Sequence, residues 1–183
     1  TDELIKKWTC GPGDAIYVSG TLGDAGMGLA LRQGRAKAAE PEREYLCSRL
    51  DIPEPRVAAG QALRNMASAA IDISDGLLAD LGHILERSGA GATVDVGQLP
   101  TSGALGRVAG EQKARELALS AGDDYELCFT VPPERVQQVE ALPFQFTRVG
   151  AVERDPGLRL FNNNKPYTRT GRGDDHFGRG DDR

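Results

Sequence analysis

Asp72, Ser74 and Asp75 place two carboxylates and a hydroxyl together in Ala70-Ile71-Asp72-Ile73-Ser74-Asp75-Gly76-Leu77-Leu78. Magnesium favours a few carboxylate oxygens, several waters and the oxygens of a substrate phosphate over an all-protein cage. Asp72 and Asp75 are therefore candidate magnesium ligands, with the Ser74 hydroxyl beside them. A second acidic stretch, Ser120-Ala121-Gly122-Asp123-Asp124-Tyr125-Glu126-Leu127, lies well downstream. Adjacent Asp123 and Asp124 repel unless a cation, a hydrogen-bond donor or water screens them. With Glu126 they form a second candidate binding corner. Each stretch also has a plainer reading. Ser74 or Asp75 could cap a helix without binding anything, and Gly122-Asp123-Asp124 could be a solvated turn. Capping leaves Asp72 unexplained.

The elements that must position these groups follow from periodicity. Ile71 and Ile73 alternate with Asp72 and Ser74, as in a strand with one apolar face. Leu77, Leu78, Leu81, Ile84 and Leu85 then recur at helical spacing to about Ser88. The first corner is thus a strand end feeding a helix N-terminus, where unpaired N–H groups and partial positive charge favour anions. The second corner has the reverse order: a helix over 111–119, a glycine turn, then a strand through Cys128-Phe129-Thr130-Val131.

Elsewhere, Ala15 to Ser19 reads as a strand, followed by the glycine-rich Gly20–Gly26 and a helix to about Gln33. That loop lacks the Gly-Lys-Ser/Thr ending of a Walker loop and the dinucleotide spacing, so tight turning competes with a phosphate role. Further helices are expected over 42–50, 56–66 and, after Pro132-Pro133, to about 142, with a broken helical stretch opening at Leu99-Pro100. Further strands are expected over 92–96 and 144–152, with an edge strand over 158–161. The pattern predicts an α+β domain over 1–161, a mixed sheet of about five or six strands covered by helices. A polar C-terminal tail follows over 162–183, where apolar content collapses.

Composition narrows the function. The 183 residues suffice for one core, and 39% hydrophobic with 27% charged residues is ordinary for a globular protein. No apolar run approaches membrane-spanning length. A net charge of −5 argues against nucleic acid, which needs clustered cations. Cys10, Cys47 and Cys128 are widely spaced, odd in number and match no zinc or redox motif. With no secretory leader, the expected location is the cytoplasm. The absence of an initial Met suggests part of a longer protein. His83 and His176 have no serine or cysteine partner pattern and read as surface or packing residues. The two Arg-Gly-Asp triplets in the tail are read as a polar mobile segment rather than an adhesion motif.

The two acidic motifs, together with Pro12-Gly13-Asp14, Tyr17-Val18-Ser19-Gly20-Thr21 and Asp175-His176-Phe177 in the same order, resemble the C-terminal half of the thiamine-monophosphate kinase family. The resemblance covers nearly the whole chain. It implies a fold like the C-terminal domain of aminoimidazole ribonucleotide synthetase, and transfer of the γ-phosphoryl group of ATP to thiamine monophosphate with Mg2+. It implies Asp72 and Asp75 as magnesium ligands, Ser74 as an ATP contact and Asp123 as a substrate contact, where the family often has Glu. Lys7 stands where the family has a nucleotide-binding Arg. Asp174 stands at a substrate position usually held by an aromatic residue. The family's N-terminal domain, with further magnesium ligands and the homodimer interface, is not in this chain. Alternative expectations are another ATP-dependent synthetase or maturation enzyme of the superfamily, and a non-catalytic module with this fold. Alone, this half is expected to be inactive.

Overall fold

The computed structural model describes residues 9–168; Lys7, Asp174, Asp175-His176-Phe177 and both Arg-Gly-Asp triplets lie outside them. Seven strands form one sheet: β1 (Ala15–Ser19), β2 (Ala69–Asp72), β3 (Gly91–Asp95), β4 (Leu127–Val131), β5 (Phe146–Glu153), β6 (Gly157–Asn162) and β7 (Lys165–Pro166). Their order is β2-β4-β1-β5-β3-β6-β7. All pairs are antiparallel except β3 with β6, so the sheet is mixed, as expected.

β1 explains how the sheet is buried. All five of its residues are buried, and period two divides them between opposite faces. Ile16 and Val18 join a cluster with Ile71, Ile73, Leu77, Leu81 and Ile84. Ala15 and Tyr17 join Leu63, Phe129, Val131 and Val139 in another. Tyr17 stacks on Phe129 with ring centroids 5.6 Å apart. The first cluster is built largely by α4 (Leu77–Ser88), whose buried Leu77, Leu81, Ile84 and Leu85 fulfil the periodicity expected of it. A third cluster, with Met27, Leu31, Leu46 and Leu105, lies among α1 (Asp24–Arg32), α2 (Glu42–Asp51), α5 (Gly103–Ala109) and α6 (Glu111–Ser120).

Several expected boundaries shift. The helix expected over 56–66 is α3 (Val57–Ala62), followed by turns in which Asn65 takes a left-handed φ of 64°. The stretch opening at Leu99-Pro100 becomes helical only at Gly103, where the Ser102 hydroxyl accepts from Leu105 N at 3.0 Å. After Pro132 a 3-10 turn precedes α7 (Val136–Glu140), two residues short of the expected end. The strand over 158–161 is not an edge: β6 lies between β3 and β7, and the sheet has seven strands rather than five or six. Asn163 and Asn164, both at positive φ, make the turn that brings β7 back, and Tyr167 N donates to Leu160 O at 2.8 Å. Ordered sheet therefore continues past Phe161, because Asn tolerates the left-handed turn that a polar composition hides.

Candidate functional site

β2 and β4 are adjacent and antiparallel, with Asp72 opposite Leu127, so the end of one strand faces the beginning of the other. The pairing continues beyond both strands. Ile73 N donates to Glu126 O at 2.8 Å, Tyr125 N to Ile73 O at 2.9 Å, and Asp123 N to Ser74 O at 3.0 Å. The two acidic corners, remote in sequence, are thus one joint. Two glycines let the backbones meet. A Cβ on Gly122 would lie 2.3 Å from Ser74 O, and one on Gly76, at φ 106°, would lie 2.9 Å from the Ser120 carbonyl.

The capping alternative for the first corner does not hold. The N-cap of α4 is Gly76, and no side chain of that residue type can cap it. Instead Asp80, buried in the helix's first turn, reaches back, and its carboxylate accepts from Ser74 N and Asp75 N, both at 3.0 Å. Burial raises the Asp80 pKa, and the charges of Asp75 and Asp72 add to this against those two hydrogen bonds. Asp72 and Asp75 remain exposed and Ser74 half-buried. They are hard oxygen donors on a backbone fixed by other groups. Among the described residues no three or more His, Cys, Asp or Glu side chains are grouped to hold a metal. Two exposed carboxylates and a hydroxyl are oxygen donors of the type a hard cation takes, and they could supply only part of its coordination sphere.

The second corner separates its carboxylates by alternation. Asp123 and Tyr125 are exposed, while Asp124 and Glu126 are buried. Asp124 accepts from Gly23 N at 2.7 Å and Ala25 N at 3.3 Å, occupying the N-terminus of α1, which has no side-chain cap from its own N-cap residue. Burial pushes its pKa up to about 7, despite those two donors. Glu126 is screened differently. It accepts from Ser19 Oγ (2.5 Å), Arg49 Nη2 (2.8 Å), Arg56 Nε (2.7 Å) and Arg56 Nη2 (2.6 Å). Burial acts to raise its pKa, but the bonds from Arg56 and Ser19 and the nearby cations prevail and hold it below the usual value. Adjacent Asp123 and Asp124 thus part company: with Asp123 at a left-handed φ of 65°, Asp124 turns into the fold and Asp123 stays at the surface.

Sequence reasoning missed the ion network behind this corner. Asp24, fully buried, accepts from Thr21 (2.7 Å), Ser102 (2.6 Å) and Tyr45 (3.3 Å), and its Oδ2 lies 3.7 Å from Arg49 Nε. Arg49 and Arg56 thus balance Asp24 and Glu126. No local spacing reveals pairs of such sequence separation. The available signal was Glu126 itself, a charge abutting Leu127-Cys128-Phe129-Thr130-Val131, which demands a buried partner.

Comparison with known proteins identifies the family and the fold. The family model "AIR synthase related protein, C-terminal domain" matches residues 11–162. The chain belongs to this family. AIR synthase related relatives include the thiamine-monophosphate kinase of Salmonella typhimurium, 46% identical over 96% of this chain and 56% of that enzyme. That of Escherichia coli K12 is 45% identical over 91% of this chain and 53% of that enzyme. The chain therefore spans about half the length of the curated relatives it matches. Among solved structures, thiamine-monophosphate kinase from Stenotrophomonas maltophilia K279a superposes with a TM-score of 0.79 at 41% identity, over 89% of this chain and 54% of that one. AaThiL complexed with AMPPCP and TMP gives 0.75 at 34% identity, over 89% and 52%. The hydrogenase maturation protein HypE of E. coli shares the fold alone, at a TM-score of 0.67 and 24% identity.

Proposed function

We propose that this chain is the C-terminal half of an ATP-dependent thiamine-monophosphate kinase, in which the γ-phosphoryl group of ATP passes to the phosphate of thiamine monophosphate, giving thiamine diphosphate and ADP. What carries the reading is the joint between the two corners, closed by Asp123 N on Ser74 O, which brings Asp72, Ser74 and Asp75 beside Asp123. Asp72 and Asp75 hold Mg2+, Ser74 and Lys7 bind ATP, and Asp123 and Asp174 bind the thiamine substrate. When bound, the cation offsets charge on the phosphate oxygens, the main requirement of phosphoryl transfer. The protein's own task is positioning. Asp80 holds the backbone of Ser74 and Asp75, and the Glu126 network holds the strand behind Asp123. The acceptor is already an anionic oxygen, so direct in-line attack requires no protein general base.

The complete protein would act in the cytoplasm as a homodimer joined through a further domain, which supplies the remaining magnesium ligands. The deciding experiment incubates full-length protein with ATP, Mg2+ and thiamine monophosphate and follows thiamine diphosphate. Formation of that product supports the reading. ATP consumption only with other acceptors would assign a different synthetase or maturation activity within the superfamily. ATP binding without turnover on any acceptor would assign a non-catalytic module. The 183-residue chain alone is expected to be inactive in the same assay.

A further inference from the structure

Tyr125 is an exposed aromatic residue in a conformation that disfavours it. Its φ is 51°, in the left-handed region that bulky side chains rarely enter, and it is 41% exposed. Asp123, two residues earlier, is also left-handed, with φ 65°. Backbone bonds from Tyr125 N to Ile73 O and from Asp123 N to Ser74 O hold both residues there. Among the described residues, the Tyr125 ring makes no aromatic contact and its hydroxyl no hydrogen bond. The tyrosine therefore keeps a disfavoured backbone with neither a ring partner nor a hydroxyl partner among the described residues. Residues kept in sparsely populated backbone regions cluster at ligand clamps and active sites.

The position of the ring suggests its use. Along this corner Asp123 and Tyr125 are exposed while Asp124 and Glu126 are buried, and the corner is joined to the one that carries exposed Asp72 and Asp75. An electron-rich face near several carboxylates suits a flat cation, because the ring quadrupole and the negative charges attract the same group. We propose that Tyr125 is a specificity-determining substrate contact, whose ring packs against a planar, positively charged heteroaromatic ring while the phosphate of that ligand lies toward Asp72 and Asp75. The inference rests on the kinase reading and deepens it by naming the residue that recognises the organic part of the substrate.

The test uses full-length protein, with Tyr125→Phe and Tyr125→Asn, and measures affinity for thiamine monophosphate, affinity for AMPPCP and the urea unfolding midpoint. Asn tolerates left-handed φ, so Tyr125→Asn should leave the midpoint equal to or above wild type. It should weaken thiamine monophosphate binding roughly tenfold while leaving AMPPCP binding unchanged. Tyr125→Phe, which keeps the ring, should bind like wild type. Unchanged thiamine monophosphate affinity in Tyr125→Asn overturns the inference. So does a lowered midpoint with equal loss of both ligands, which would make the tyrosine structural. Wild type that binds AMPPCP but not thiamine monophosphate would sink the kinase reading together with this one, and so is distinguishable from failure of the tyrosine alone.

Discussion

Glu126→Gln would remove one negative charge from between two guanidinium groups while preserving side-chain size. The Glu126 side chain is 1% exposed, against 15% for Arg49 and 24% for Arg56, so water cannot replace the missing charge. One carboxylate oxygen accepts from Arg49 Nη2 and Arg56 Nη2, the other from Ser19 Oγ and Arg56 Nε. A glutamine oxygen can keep one of these pairs; its NH2 then confronts donors at the other. Hydrogen bonds to charged groups contribute about 1.5–3 kcal/mol each, and breaking a buried ion pair from one side costs about 3–5 kcal/mol. The lower end of that second range is the better guide, since Ser19 can rotate its hydroxyl to accept. With a urea dependence of ~2 kcal/mol per molar, that lower end of about 3 kcal/mol lowers the midpoint at pH 7 by roughly 1.5 M.

The pH dependence provides an internal check. The folded-state pKa of Glu126 is depressed, so its stabilisation is present above the ordinary glutamate range and is lost as pH falls through the depressed value. The gap between wild type and Glu126→Gln should accordingly narrow in acid, measured by urea titrations at a series of pH values. A midpoint for Glu126→Gln equal to wild type at pH 7 would refute the claim that this network holds the second corner.

Asp72→Asn or Asp75→Asn should lower turnover of the full-length enzyme by orders of magnitude and leave the unfolding free energy within about 0.5 kcal/mol, because both residues are exposed; normal turnover at saturating Mg2+ would remove their metal role. Gly122→Ala would force a Cβ to 2.3 Å from Ser74 O, and should cost about 1–3 kcal/mol with weakened AMPPCP binding in the full-length protein, measured by denaturation and calorimetry. Asp124, whose folded pKa is raised to about 7, retains its proton where the unfolded chain has lost it. Its favourable contribution is therefore full below the unfolded carboxylate pKa and is lost as pH rises toward 7. Asp124→Asn should flatten that part of the stability curve in a pH series of thermal melts; an unchanged slope would show that Asp124 is not its source.

Much of the candidate site was legible because its signals are local. Ile71 and Ile73 alternate with Asp72, and the leucine spacing after Gly76 marks the helix, so the strand-corner-helix reading needed no distant contacts. The order of the two acidic motifs carried the family resemblance for the same reason. Local patterns failed where competing donors decide. Ser74 and Asp75 both suit a helix cap, but Asp80 takes their N–H groups from inside the helix. Asp123 and Asp124 have the same chemistry in sequence, yet one faces solvent and the other fills the N-terminus of α1. The strand expected over 158–161 read as an edge because nothing in its composition announces the two-residue β7 beyond the asparagine turn.

The amino-acid sequence by itself determined most of the strand and helix segments, though not β7, and where the acidic corners break them, since backbone periodicity and glycine placement act over a few residues. Only the tertiary structure decided that the corners meet and which carboxylates remain available there. That outcome depends on long-range pairing of β2 with β4 and on Arg49 and Arg56 neutralising Glu126 from other helices and loops. Desolvation leaves a buried charge stable only beside a partner, and that partner can lie anywhere along the chain.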